Sequence, residues 1–186
     1  MPTGKPIRAI LLDSLGTLVE LEPVAPRLRE ELRRRGIEVT EERAAEAFRA
    51  EVAYYLEHHL EGRDPSSLAE LRNRCAAVVV DSLGVPELPV AEVRDALVAA
   101  IRFRPFGDAA PALRELRERG LRLVVVSNWD TSLREVLAGA GLLELVDGVV
   151  TSAEAGAAKP DPAPFRAGLR AAGVEAGEAV AQEIKP

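Results

Sequence analysis

The sequence has a single cysteine, and this scarcity rules out several kinds of site. With Cys75 as the only thiol among 186 residues, an intramolecular disulfide cannot form and a metal cluster built on several thiolates is disfavoured. No apolar stretch approaches the length that crosses a bilayer, and the first residues lack the apolar segment of a secretory signal peptide. These absences predict a cytoplasmic protein with no membrane partner.

Positive charge is also in the minority. The sequence has 24 Lys and Arg against 30 Asp and Glu, which gives a formal net charge of −6. A broad surface for nucleic acid needs the opposite balance, so no nucleic-acid partner is expected. Hydrophobic residues make up 47% and charged residues 29%, which is typical of a globular chain with one ordinary core and a smaller second lobe. The richness in Ala, Arg, Glu and Leu suggests a bacterial genome of high GC content.

An apolar run that ends in an aspartate is the most informative segment. Residues 7–12 are nearly all apolar, which predicts a strand buried on both faces of a parallel sheet. Asp13 follows at the carboxyl end of this strand, where open α/β sheets bind their ligands. A carboxylate there could attack phosphorus or carbon and divide a hydrolysis into two steps through a covalent intermediate. The backbone N–H groups of Leu15, Gly16 and Thr17 are predicted to hold anionic oxygens.

The middle of the sequence predicts helices, and the rest predicts strands that alternate with helices. Four amphipathic helices are expected between about residues 23 and 102, and Thr40 is a good N-cap for the second. Buried strands are expected at residues 121–126 and 146–150, and another begins near residues 178–180. This alternation predicts an α/β fold with a parallel sheet. The predicted domains are therefore a core of residues 1–19 and 103–186, and an inserted helical domain of residues 20–102.

Two further polar side chains are expected at the sheet edge that carries Asp13. Ser127 ends the second strand, and its hydroxyl could donate to a transferring oxygen. Lys159 lies in the loop before the last helix, and its ammonium could neutralise both nucleophile and substrate. Asn128 is predicted to be a supporting donor, and Trp129 is a candidate for lining the substrate pocket.

These segments together resemble the haloacid dehalogenase (HAD) superfamily of hydrolases. Residues 13–18 are similar to its first motif, residues 125–130 to its second and residues 159–165 to its third. The resemblance implies a three-layer core with a Rossmann-like parallel sheet, and it implies that the helical insertion is a subfamily I cap. It also implies Mg²⁺, with Asp13, the Leu15 carbonyl and Glu183 as the candidate ligands.

Two departures from the family pattern leave the activity open. Leu15 stands where the phosphatases carry a second aspartate, which protonates the leaving alcohol. General acid–base catalysis by such a group raises the reaction rate by about 10²–10⁴-fold. The dehalogenases also lack this acid, because halide leaves without a proton, but they carry a tyrosine where this chain has Phe165. The acidic fourth motif is not found before Pro186, so the C-terminal part of the core is expected to be truncated and the Asp13 strand to be an exposed sheet edge.

The sequence therefore predicts a HAD-like hydrolase that acts through Asp13 on a small anionic substrate. Mg²⁺-dependent hydrolysis of phosphate esters with good leaving groups is the leading hypothesis. A 2-haloacid dehalogenase is the first alternative. The second is a catalytically impaired protein that binds a phosphorylated ligand or a protein partner. A monomer or a homodimer is expected.

Overall fold

The computed structural model describes residues 5–182, and these form two compact units. One unit combines the described residues up to Glu20 with those from Phe103 onward, and the other is Leu21–Arg102. Among the described residues, no helix combines the length and the apolarity needed to cross a bilayer. The cytoplasmic location stays a prediction.

The unit Leu21–Arg102 is a bundle of four helices. They are α1, α2, α3 and α4, at Val24–Arg33, Glu41–His58, Pro65–Leu83 and Val90–Ala100. Helix α2 begins as predicted, because the Thr40 hydroxyl accepts a hydrogen bond from the Arg43 amide. Helix α3 is capped by Asp64, which forms a reciprocal capping box with Ser67. Leu28, Leu71 and Val79 are among the residues of its buried apolar core. The role of this bundle as a cap stays a prediction.

The other unit is built on a four-stranded parallel sheet, which confirms the predicted α/β fold. Its strands are β1, Ala9–Leu12, β4, Arg122–Ser127, β5, Gly148–Thr151, and β6, Ala179–Gln182. They lie in the order β5–β4–β1–β6, and all three neighbouring pairs are parallel. A separate two-stranded sheet pairs β2, Val19–Leu21, with β3, Phe103–Pro105.

The prediction that β1 is an exposed sheet edge is wrong. Each of its four residues is in register with one residue of β4 and one residue of β6. The Arg8 amide also donates to the Glu178 carbonyl, and the Asp13 amide donates to the Gln182 carbonyl. The four residues of β6 are therefore enough to pair the backbone of the strand that precedes Asp13.

Helices cover both faces of this sheet, which gives the predicted three layers. The helices are α5, Ala109–Glu118, α6, Leu133–Gly139, the short α7, Ser152–Ala155, and α8, Pro162–Ala172. Alternate residues of β4 point to opposite faces. Leu123 and Val125 join a core with residues of α5 and α6, whereas Val124 and Val126 join a core with residues of α8.

Helix α8 lies very close to the sheet at Gly168. A Cβ atom placed on Gly168 would stand 2.7 Å from Val126 Cγ2 and 3.2 Å from Leu11 Cδ2. Because both of those side chains are buried, glycine is the residue that fits the space between helix and sheet. This packing joins α8 to the two inner strands, β1 and β4.

Candidate active site

The carboxylate of Asp13 is the centre of a small polar cluster at the carboxyl ends of β1 and β4. Its Oδ1 atom accepts a hydrogen bond from the Ser14 amide at 2.7 Å and another from the Ser127 hydroxyl at 2.7 Å. Its Oδ2 atom lies 3.1 Å from Lys159 Nζ. The Asp13 side chain is 21% exposed and the Lys159 side chain is 9% exposed. The structure therefore brings Asp13, Ser127 and Lys159 together.

The two oxygens of Asp13 are not equivalent. A carboxylate oxygen has two lone-pair directions, and both directions of Oδ1 face a donor, one from Ser14 and one from Ser127. Within the described residues, Oδ2 receives only the Lys159 ammonium. Oδ2 is therefore the oxygen with a lone pair left to attack an electrophile.

Parallel pairing of β1 with β4 places Ser127 beside Asp13. Leu12 is in register with Val125, so the residues that follow each strand emerge at the same edge of the sheet. Ser127 is the last residue of β4 and is buried. Its hydroxyl is therefore positioned by the sheet itself.

Lys159 comes from the loop between α7 and α8. At the end of this loop, the Asp161 carboxylate accepts a hydrogen bond from the Ala163 amide and caps α8. The Asn128 carboxamide contacts the backbone of Lys159 on both sides. Its Nδ2 donates to the Lys159 carbonyl at 3.1 Å, and its Oδ1 accepts from the Lys159 amide at 2.7 Å. Nδ2 carries two N–H groups, so one is left besides the bond to the Lys159 carbonyl, and the role of Asn128 as a donor to substrate stays a prediction.

The turn after Asp13 uses amides that were predicted to hold an anion. The Gly16 amide donates to the Val19 carbonyl at 2.9 Å, and the Thr17 amide donates to the Ser14 carbonyl at 3.2 Å. Backbone carbonyls therefore already accept from both amides, and their binding of an anion stays a prediction. Within residues 5–182, the Leu15 amide has no such acceptor. Gly16 has a φ of +79°, a conformation that glycine adopts without strain.

Two other predicted contacts with substrate are Thr17, which is half-buried, and Trp129, which is buried. The Thr17 hydroxyl is buried without a hydrogen-bond partner in the described part of the chain. The Trp129 side chain belongs to the apolar core under α5 and α6, and its ring centroid lies 4.9 Å from that of Phe103. Trp129 is 7% exposed, so its indole packs mainly against other apolar groups of the core, and its role in lining a substrate pocket stays a prediction.

Sequence reasoning missed Ser152, which holds the backbone of Trp129. The Ser152 hydroxyl accepts from the Trp129 amide at 3.0 Å and donates to the Trp129 carbonyl at 3.2 Å. Ser152 directly follows β5, and a polar residue after a buried strand was the signal that could have found it. Its contacts give it a supporting position rather than a place at the reacting atoms.

The described residues do not complete a magnesium site. Mg²⁺ prefers octahedral coordination by oxygen, and Asp13 and the Leu15 carbonyl are the predicted ligands that fall in residues 5–182. That part of the chain holds no group of three or more His, Cys, Asp or Glu placed to bind one metal ion. The third candidate, Glu183, lies outside the described residues.

Leu15 offers no group that can exchange a proton with a substrate. It stands two residues after Asp13, and its side chain is one of the more exposed large apolar groups, with the residue 51% exposed. Asp13, Ser127 and Lys159 therefore supply a carboxylate, a hydroxyl and an ammonium, and Leu15 adds only an apolar surface.

Comparisons with known proteins agree on one family. The model of the haloacid dehalogenase-like hydrolase family matches residues 7–181. The human haloacid dehalogenase-like hydrolase domain-containing protein 3 is 35% identical over 178 residues, which are 91% of this chain and 70% of the human protein. A phosphoserine phosphatase from Thermus thermophilus is 43% identical over 79 residues, 42% of this chain and 32% of that enzyme. Among solved structures, the L-2-haloacid dehalogenase from Xanthobacter autotrophicus superposes with a TM-score of 0.64 at 26% identity, covering 94% of this chain and 69% of that one.

Proposed function

The chain belongs to the haloacid dehalogenase-like hydrolase family, and on that premise we propose that it hydrolyses a small anionic substrate with Asp13 as the nucleophile. The observation that carries this proposal is the set of contacts on the Asp13 carboxylate. Its Oδ1 is held by the Ser127 hydroxyl, and its Oδ2 lies beside the Lys159 ammonium with a lone pair still available.

In the first step, Asp13 Oδ2 attacks phosphorus or carbon, and the leaving group departs with the bonding electron pair. The product is a covalent ester or acyl phosphate on Asp13. Water then adds to this intermediate, releases the second product and restores the carboxylate, and one proton of the water passes to solvent. Because the substrate and the nucleophile are both anionic, they would repel each other, and the Lys159 ammonium between them offsets this repulsion. Ser127 keeps Oδ1 fixed while Oδ2 reacts.

We propose phosphate esters as the leading substrate class, and among them esters whose leaving group departs without a proton. The regional similarity to a phosphoserine phosphatase supports the phosphate. The position of Leu15 supports the restriction on the leaving group, because an alkoxide needs a proton that leucine cannot donate. No step of this scheme passes through Mg²⁺, since the described donors do not complete a site for it.

A 2-haloacid is the second candidate substrate, and Leu15 is the observation that favours it. Halide leaves as a stable anion, so the reaction at carbon needs no acid at this position. The similarity to the Xanthobacter autotrophicus dehalogenase, at 26% identity, supports the same reading.

Two assays on purified protein test both candidates. The first follows release of p-nitrophenol from its phosphate ester, with and without Mg²⁺, and the second follows halide release from 2-chloropropionate. Asp13→Asn is expected to abolish whichever activity is present. Asp108→Asn is the matched control, because the Asp108 side chain makes no capping hydrogen bond to α5. Turnover that survives in Asp13→Asn would contradict the nucleophile. Absence of both activities in folded protein would contradict both candidates and leave the impaired, ligand-binding alternative.

A further inference from the structure

One side chain, that of Asn128, pairs both backbone polar groups of Lys159. The two hydrogen bonds join residues that are 31 positions apart in the sequence. Nδ2 donates to the Lys159 carbonyl, and Oδ1 accepts from the Lys159 amide. We propose that Asn128 is a positioning residue that fixes the Lys159 backbone and thereby holds the ammonium on Asp13. This inference rests on the proposed function, in which Lys159 neutralises the nucleophile.

The carboxamide is the group that this double contact requires. Asparagine carries a donor and an acceptor at the end of a short side chain, so it can pair an amide and a carbonyl of the same residue. Aspartate would keep the acceptor but turn a second oxygen toward the Lys159 carbonyl. Alanine would remove both bonds.

Fixing the Lys159 backbone matters because its side chain is long and flexible. A lysine side chain loses much of its rotamer entropy when it is fully ordered, and here its ammonium lies 3.1 Å from Asp13 Oδ2. The loop also has a local hydrogen bond, from the Asp161 amide to the Ala158 carbonyl. The Asn128 pair instead ties the loop to the end of β4.

The same strand end therefore places two of the groups that contact Asp13. Ser127 contacts Oδ1 directly, and Asn128, the next residue, places the lysine that contacts Oδ2. Asn128 reaches the nucleophile only through Lys159. This predicts that the effect of removing Asn128 depends on the presence of Lys159.

Amine labelling tests the contact without any turnover. The sequence has only three lysines, Lys5, Lys159 and Lys185, so their acylation by a small amine reagent can be followed separately by peptide mass spectrometry. In the wild type, Lys159 should react slowly relative to Lys5, whose side chain is 57% exposed. In Asn128→Ala the ratio of the two rates should rise several-fold. In Asn73→Ala, a change of the only other asparagine, the ratio should stay at the wild-type value.

A double-mutant cycle tests the consequence for catalysis. Asn128→Ala alone should lower kcat by about 10²-fold, the effect of a misplacement near 1 Å, with a much smaller change in KM. In the Lys159→Ala background the same substitution should lower kcat no further. Asn128→Asp, which keeps one of the two hydrogen bonds, serves as a second variant if the alanine variant does not fold.

The outcomes separate this inference from the proposed function. An unchanged labelling ratio in folded Asn128→Ala and Asn128→Asp would overturn the positioning role. It would also be overturned if the fold-loss of kcat in the double variant equalled the product of the losses in Asn128→Ala and Lys159→Ala. A raised ratio together with a non-additive cycle supports it. If wild-type protein hydrolyses neither substrate, the proposed function fails, whereas the labelling ratio still decides whether Asn128 holds Lys159.

Discussion

Replacing Gly168 by alanine should destabilise the α/β unit, although alanine is the better helix former. The change from glycine to alanine inside a helix contributes about 1 kcal/mol of stability. The new Cβ, however, would stand 2.7 Å from Val126 Cγ2, well inside ordinary contact. Overpacking of this kind costs about 1–3 kcal/mol. The net effect expected for Gly168→Ala is a loss of about 0–2 kcal/mol in the free energy of unfolding.

Gly139→Ala is the matched control, because a Cβ there meets nothing within 4 Å. At this last residue of α6 the substitution should stabilise by up to about 1 kcal/mol. The difference between the two alanine variants, about 1–3 kcal/mol, then isolates the steric contact.

Urea unfolding followed by tryptophan emission measures this difference in the right part of the molecule. Trp129 is the only tryptophan, and it is buried in the core of the α/β unit. Its emission therefore reports on that unit rather than on the helical bundle. If Gly168→Ala raised the unfolding midpoint as much as Gly139→Ala, the close contact between α8 and β4 would be refuted.

Three further predictions concern the site and its support. Ser127→Ala should lower kcat/KM by about 10–100-fold, because a hydrogen bond to a charged group contributes about 1.5–3 kcal/mol. Ser127→Thr keeps a hydroxyl and should retain more activity. Equal losses of kcat/KM in the two variants would contradict the role of the hydroxyl. Leu15→Asp should raise the turnover of an alkyl phosphate by up to about 10²-fold relative to Leu15→Asn, which introduces a side chain of the same size that cannot donate a carboxyl proton. Equal rates in the two variants would show that a missing acid does not limit the reaction. Partial burial opposes ionisation of Asp147, but hydrogen bonds from the Leu123 amide and the Arg122 guanidinium lower the pKa of its carboxyl. The stability that Asp147 contributes is thus present above about pH 4 and is lost as the pH falls through its lowered pKa. Asp147→Asn should therefore weaken the pH dependence of acid unfolding, measured by circular dichroism.

The elements that sequence predicted well are those whose residues carry a strong local pattern. The apolar runs at residues 7–12 and 121–126 became β1 and β4, because side chains buried on both faces leave an unbroken apolar signal. The three-residue strands β2 and β3 have polar or exposed positions and no such signal. The pairing of β6 with β1 was missed because β6 is only four residues long, and no sequence pattern indicated that so short a strand would be enough to complete the pairing.

At the site, sequence indicated which residues share a sheet edge but could not indicate their contacts. Asp13 and Ser127 end neighbouring strands, so their meeting follows from the topology. The burial of Trp129 depends on Phe103, which is distant in sequence, and no local pattern encodes that contact. The pairing of Asn128 with Lys159 is of the same kind. The roles assigned to these residues in catalysis stay predictions.

The order of the strands also bears on how such a protein can change over evolution. Asp13 and Ser127 end the two inner strands, each of which has a neighbour on both sides, so a shift in either would disturb the whole sheet. Lys159 instead lies on a surface loop that one asparagine side chain ties to β4. Mutations can therefore alter the charge beside Asp13 by remodelling a short loop, while the strand that precedes Asp13 stays unchanged. In this architecture, new substrate preferences can arise at the loop without a loss of the fold.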